Sequence, residues 1–192
     1  YLPPMTLACS LADLHAFLRA KNGLIVHFSS APSGISSGWQ QPYPNDLHHV
    51  LAGDAQTGLA CSLVTPGDNF ACNCRNAMGC IGVVVDLVDQ ESLLAVSSGD
   101  AGSEIRDGVR YYHPMNVTLA DCDDSLTART LHNEWGVKNY RPLGIFAIGP
   151  FEIWDHQAGR VGRTTYPKVI QDFSGWPVFT FMNGQVYSGG SP

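Results

Sequence analysis

Thr130-Leu131-His132-Asn133-Glu134-Trp135-Gly136-Val137-Lys138, followed by Leu143-Gly144-Ile145-Phe146-Ala147-Ile148, is the stretch on which the fold turns. The second run is almost wholly apolar and β-prone, bounded by Pro142 and Gly149-Pro150, and predicts a strand buried on both faces. Just before it, Glu134 stands between Leu131 and Trp135 in a segment otherwise built for packing. A carboxylate in such company must find a partner, ionise poorly or line a cavity. It is either a salt-bridged or edge-exposed glutamate, or a catalytic carboxylate at the rim of a sheet cleft.

Outward from this stretch, the chain reads as short strands with a few helices. Ser10 and Asp13 form an S-x-x-D start for a helix with Leu11, Leu14, Phe17 and Leu18 on one face, and Asn22-Gly23 ends it. Leu24-Ile25-Val26-His27-Phe28 predicts a buried strand, and Ser29 to Gly38 a Ser/Gly-rich loop. The small residues of that loop suit either solvation or the approach of backbone amides to a bound anion. Asn45 or Asp46 can cap a brief helix through Leu47, Val50 and Leu51. Further strands are expected at Gly58 to Thr65, Ile81 to Leu87 and Ser92 to Val96, with a polar loop from Ser97 to Ser103.

Val109 to His113 reads as a strand end or ordered loop, and Thr118 caps a helix over 119–131 with Asp121, Asp123 and Asp124 near its positive end. After the glutamate come Phe151 to Trp154, a short helix near Lys168-Val169-Ile170, and strands Val178 to Met182 and Gln185 to Tyr187. The turn Asn183-Gly184 joins that last pair. Strands dominate and helices are peripheral, so the expected class is α+β, with a mixed, largely antiparallel sheet core. One domain over 1–187 and a flexible tail over 188–192 are expected.

Composition narrows the function classes. The chain has 192 residues, 44% hydrophobic and 15% charged, as a packed globular protein requires. Eleven Lys and Arg against seventeen Asp and Glu give a net charge of -6, which disfavours wholesale binding along a nucleic acid backbone. It leaves room for a cleft that admits one strand or one base. No apolar run approaches the ~18 residues of a membrane span. The chain opens on Tyr1, so any targeting segment is expected upstream. Walker, G-x-G-x-x-G and H-E-x-x-H motifs are missing.

Six cysteines (Cys9, Cys61, Cys72, Cys74, Cys80, Cys122) include four between 61 and 80. Their spacing lacks paired C-x-x-C knuckles, so bridges within 61–80 are expected ahead of a zinc site, with free thiols as the competing reading. Bridges would imply an oxidising compartment or a secreted protein, which the sequon Asn116-Val117-Thr118 also fits.

Three polar islands interrupt the apolar strands: His27-Phe28-Ser29-Ser30, Arg110-Tyr111-Tyr112-His113 and Asn133-Glu134. This order resembles the ADP-ribosyltransferase fold, and within it is most similar to the DarT-type nucleic acid ADP-ribosyltransferases. The parallels are His27 at a strand end with a hydroxyl two residues on, helix 119–131 leading into Glu134, and Phe146-Ala147-Ile148 followed by Glu152-Ile153-Trp154. The similarity lies in order and spacing over roughly residues 24–35 and 100–187. It departs where His132 replaces the first member of an E-x-E or Q-x-E pair. It departs again where Ala31-Pro32-Ser33-Gly34 stands in place of an N-L motif.

The resemblance implies NAD as substrate and a macromolecular acceptor, nucleic acid or protein. It also implies a delivered toxin or effector role, with an immunity protein as a partner. Glu134 would steady the ribose as nicotinamide leaves, and His27 would hydrogen-bond a ribose hydroxyl. Ser29 or Ser30 would meet the carboxamide, Tyr111 or Tyr112 the nicotinamide ring, and Arg110 the pyrophosphate. Plain structural roles compete: a backbone-bonded imidazole for His27, core packing for the tyrosines, and an Asp107 ion pair for Arg110. Three other functions stay open. They are NAD hydrolysis on the same scaffold, a ribonuclease-like hydrolase using His27, His113 or His132 with Glu134, and a binding module displaying Trp39 and Tyr43.

Overall fold

The computed structural model describes residues 9–31, 43–53, 58–66, 80–99, 117–127, 133–149, 151–155, 160–182 and 185–188. In chain order the elements begin α1 (Leu11–Lys21), β1 (Leu24–Phe28), β2 (Ser30–Ala31), α2 (Asn45–Ala52), β3 (Leu59–Val64) and β4 (Ile81–Leu87). A 3₁₀ turn (Gln90–Ser92) precedes β5 (Leu93–Ser97), α3 (Leu119–Thr127), β6 (Glu134–Val137) and β7 (Tyr140–Ala147). The chain then forms β8 (Glu152–Asp155), β9 (Arg160–Arg163), α4 (Tyr166–Asp172), β10 (Val178–Met182) and β11 (Gln185–Ser188).

Eight strands form one sheet in the order β11-β10-β7-β4-β1-β3-β6-β5. All its ladders are antiparallel except the one between β7 and β10. A smaller sheet runs β2-β8-β9, with β2 parallel to β8. The protein is therefore α+β with a mixed, largely antiparallel sheet, as its sequence pattern predicts.

Strand alternation sorts the core into two faces. Ile25, Leu63, Val83, Val85, Trp135 and Ile145 share one cluster, which also takes in Leu14 of α1, Leu47 of α2, Cys122 of α3 and Val169 of α4. All four α-helices described thus bury residues against the same face. The opposite face carries a smaller cluster, Val26, Phe28, Val64, Val84 and Phe146, with Phe28 and Phe146 meeting edge to face.

Local chemistry explains the helix starts. Ser10 Oγ accepts from the Asp13 amide while Asp13 accepts from the Ser10 amide, and Thr118 and Asp121 repeat this reciprocal cap at α3. For α2 the expected cap is replaced: Pro44 occupies the N-cap without a side-chain bond, and Asp46 accepts from the Leu47 amide inside the first turn.

Some expected boundaries shift. The strand expected from Leu143 begins at Tyr140 and runs through Pro142, which lies where the β4–β7 register slips between Val84 and Val85. A residue lacking an amide proton is tolerated at such a bulge. Glu134 does not merely precede a strand but opens one, β6. Ser30-Ala31, expected in a loop, forms a two-residue strand on β8. The helix expected over 119–131 is described through Thr127. β9 has no sequence signature, because Arg160-Val161-Gly162-Arg163 has a single strongly apolar residue to mark it.

Candidate functional site

β1 delivers His27 to the middle of the large sheet. Its ladder with β4 continues through His27↔Val83 and Phe28↔Gly82. Its ladder with β3 is recorded only through Val26↔Ser62, while β3 goes on pairing with β6 at Cys61, Ala60 and Leu59. At that point the His27 ring takes up the acceptor that β3 offers: Nδ1 lies 2.8 Å from the Ala60 carbonyl oxygen. Gly82 allows the tight approach on the other side, since a Cβ there would lie 2.4 Å from the His27 carbonyl oxygen.

The carbonyl can only accept, so Nδ1 carries the proton. Desolvation lowers the His27 pKa below 6.5, against the opposing pull of the Ala60 carbonyl and the Asp46 charge. The neutral ring then presents Nε2 as a hydrogen-bond acceptor. Ser29, two residues on, is fully buried, and its hydroxyl donates to Asp46 Oδ2 at 2.5 Å. Burial raises the Asp46 pKa, while the Ser29 hydroxyl, the Leu47 amide and His27 hold it down. Asp46 was legible in the sequence as a cap residue only; its place beneath His27 depends on α2 folding back over the sheet.

Asn133 and Glu134 divide into two roles. Asn133 is 1% exposed and its carboxamide mimics a strand: the Leu63 amide donates to Oδ1 at 2.7 Å and Nδ2 donates to the Leu63 carbonyl at 2.9 Å. Ser62 Oγ adds a bond to the Asn133 carbonyl at 3.0 Å. This clip fixes the start of β6. Trp135 then goes into the helix-covered core, fully buried, with its indole N–H donating to Ser125 Oγ at 3.0 Å.

Glu134 is half-buried and pairs across β5 with Ser97. Since Trp135 points into the helix-covered core, alternation turns Glu134 toward the face bearing the smaller cluster. Its charge still reaches β3, where it adds to burial in raising the pKa of the Cys61 thiol.

His27 and Glu134 therefore stand on strands separated only by β3, about 10 Å apart at the backbone by two inter-strand spacings. They lie at nearly the same level, that of Cys61 and Trp135. Their Cβ atoms leave opposite faces of the sheet: His27 pairs with Val83 of the helix-side cluster, whereas Glu134 alternates with Trp135. The side chain of Ser30, the residues Arg110, Tyr111 and Tyr112, and the histidines His113 and His132 lie outside the described residues.

A separate concavity of about 550 Å³ opens at the other end of β1, lined by His15, Arg19, Asp86, Arg141 and Leu143 among others. Asp86 holds both His15 and Arg141, at 3.1 and 2.5 Å. Neither His27 nor Glu134 lines it. Among the described residues no group of three or more His, Cys, Asp or Glu is placed to hold a metal ion, and no helix is long and apolar enough to cross a membrane. Cys80 is disulfide-bonded, within the range expected for bridges, whereas Cys61, Cys9 and Cys122 are free. Compared with family models, curated proteins and solved structures, the chain matches none.

Proposed function

We propose that the protein is an ADP-ribosyltransferase acting on NAD, with Glu134 and His27 as its catalytic pair and a macromolecule as acceptor. One observation carries the reading: the early histidine strand and the late glutamate strand flank the single strand β3, at the level where the β1–β3 pairing is last recorded. Because the two Cβ atoms leave opposite faces of the sheet, a ligand must pass the end of the β1–β3 pairing to meet both side chains.

The chemistry asks little more of the protein. The bond from the ribose anomeric carbon to nicotinamide breaks, and the bonding pair leaves with nicotinamide as a neutral molecule. Positive charge develops on the sugar, and a half-buried carboxylate fixed by the Asn133 clip stabilises it. The acceptor's oxygen or nitrogen then bonds to the anomeric carbon and gives its proton to Glu134. His27, neutral and with Nε2 lacking a proton, accepts a hydrogen bond from a ribose hydroxyl. Ser30, Arg110, Tyr111 and Tyr112 complete the NAD-binding set in this reading, while the Ser29 hydroxyl, buried on Asp46, does not reach the carboxamide and acts only through Asp46. A Cys80 bridge accords with a protein delivered outside the reducing cytosol.

Incubation with NAD labelled in the adenylate half tests the assignment. Label transferred to nucleic acid or protein, with nicotinamide released in equal amount, is the expected result. Nicotinamide release with soluble ADP-ribose alone would make water the acceptor. RNA cleavage without NAD would replace the reading by acid–base hydrolysis.

A further inference from the structure

The cavity of about 550 Å³ beyond the start of β1 lies where α1 hands the chain to the sheet. His15, Leu18, Arg19 and Asn22 are spaced i, i+3, i+4 and i+7, so one face of α1 and its cap residue form one wall. Leu24 of β1, Val84 and Val85 of β4 and Leu143 of β7 belong to the other. The β1–β4 ladder begins at Ile25↔Val85, whereas β4 continues against β7 through Asp86↔Arg141. That step in the sheet, beside the register slip between Val84 and Val85, opens the cavity.

Its charges are unequal. Two guanidiniums, Arg19 and Arg141, line it with one carboxylate, Asp86. Asp86 lies across the ladder from Arg141 and accepts from its Nη2 at 2.5 Å, which neutralises that guanidinium. His15 Nε2 stands 3.1 Å from Asp86 and 3.2 Å from the Leu87 carbonyl, so it carries the proton and donates. Arg19 is exposed and has no ion-pair partner among the described residues, leaving one net positive charge in a chain of net charge -6. The last-turn carbonyls of α1 do not cancel it, since Leu18 and Arg19 accept from the Gly23 and Asn22 amides at 2.8 and 3.1 Å.

We infer that this cavity binds an aliphatic monocarboxylate, its carboxylate on Arg19 and its chain against Leu18, Leu24 and Leu143. The volume falls within the range of small-molecule sites, roughly 300–1,000 Å³. One surplus positive charge matches one carboxylate, whereas a phosphate dianion would bring an uncompensated charge beside Asp86. The apolar lining is aliphatic, and no Phe, Tyr or Trp among the described residues lines the cavity to stack on a base. Glu134 and His27 do not line it either, so the site stands apart from the proposed NAD chemistry.

The test is titration of the full chain with octanoate below its micelle concentration, followed by calorimetry and amide NMR, with octanol and AMP as comparison ligands. Saturable binding of octanoate is expected, with shifts at the Leu18, Gly23 and Leu143 amides. Octanol should bind the parent, and octanoate the Arg19→Gln variant, at least about tenfold more weakly. Arg19 is exposed, so that variant should fold as the parent does, which circular dichroism checks. Absence of saturable octanoate binding, equal affinity for octanol, unchanged affinity in Arg19→Gln, or shifts confined to other surfaces overturns the inference. Tighter binding of AMP than of octanoate also overturns it, because the ligand would then be a nucleotide.

Discussion

His27 shows how a residue's chemistry is set by what its ring touches. The Ala60 carbonyl fixes the tautomer, desolvation disfavours the proton on Nε2, and the Asp46 charge partly restores it. Because the folded pKa lies below 6.5, the unfolded chain binds the extra proton more readily. This group therefore adds full stability above pH 6.5 and loses it as pH falls toward the folded value. Asp46 has the opposite sign: its raised pKa favours the folded state at low pH, and that contribution is lost as pH rises through the folded pKa. Asp46→Asn keeps an acceptor for the Leu47 amide and removes the charge, so the His27 pKa should fall further. An NMR titration of the His27 ring in both proteins measures this, and an upward or absent shift would contradict the arrangement. The sequence marked His27 as a strand-end histidine. It could not show Asp46 beneath it, because that contact joins residues from separate elements.

At the scale of elements, β3 and β6 are joined by a side chain acting as a strand. Asn133 satisfies both the amide and the carbonyl of Leu63, in a site with no access to water. Asn133→Ala leaves two buried peptide groups without partners. It should cost about 2–4 kcal/mol. Urea unfolding checks it: a lower midpoint at unchanged slope is expected, and an unchanged midpoint would show that the clip contributes nothing. The sequence placed Asn133 and Glu134 in one polar island, yet the Asn133 carboxamide is committed to Leu63 while Glu134 is half-buried on the face opposite Trp135. The continuous apolar run Ile81 to Leu87 and the alternation of Leu59, Cys61 and Leu63 against Ala60, Ser62 and Val64 made β4 and β3 readable as strands. The start of β7 was not, because Pro142 ordinarily ends a strand and is tolerated here only at a register slip.

For the whole molecule, placing all four described α-helices on one side of the large sheet leaves the other side to a small cluster of five buried residues. Glu134 lies on the side of that smaller cluster, and composition alone could not reveal this asymmetry among the described residues. Strand-rich patterning made the class of fold legible, while the order of strands depended on long-range pairing that no local motif encodes. It is that order which sets β1 and β6 on either side of β3.

Central to the proposed function is Glu134 facing a ribose that is losing its base. The direct measurement is the rate of nicotinamide release from NAD by the parent protein and by Glu134→Gln, with circular dichroism confirming that both are folded. Turnover by the parent is expected, with a loss on the order of 100-fold or more in the variant, about 3 kcal/mol of transition-state stabilisation. Equal rates in the two folded proteins, or no release by the parent, would contradict it.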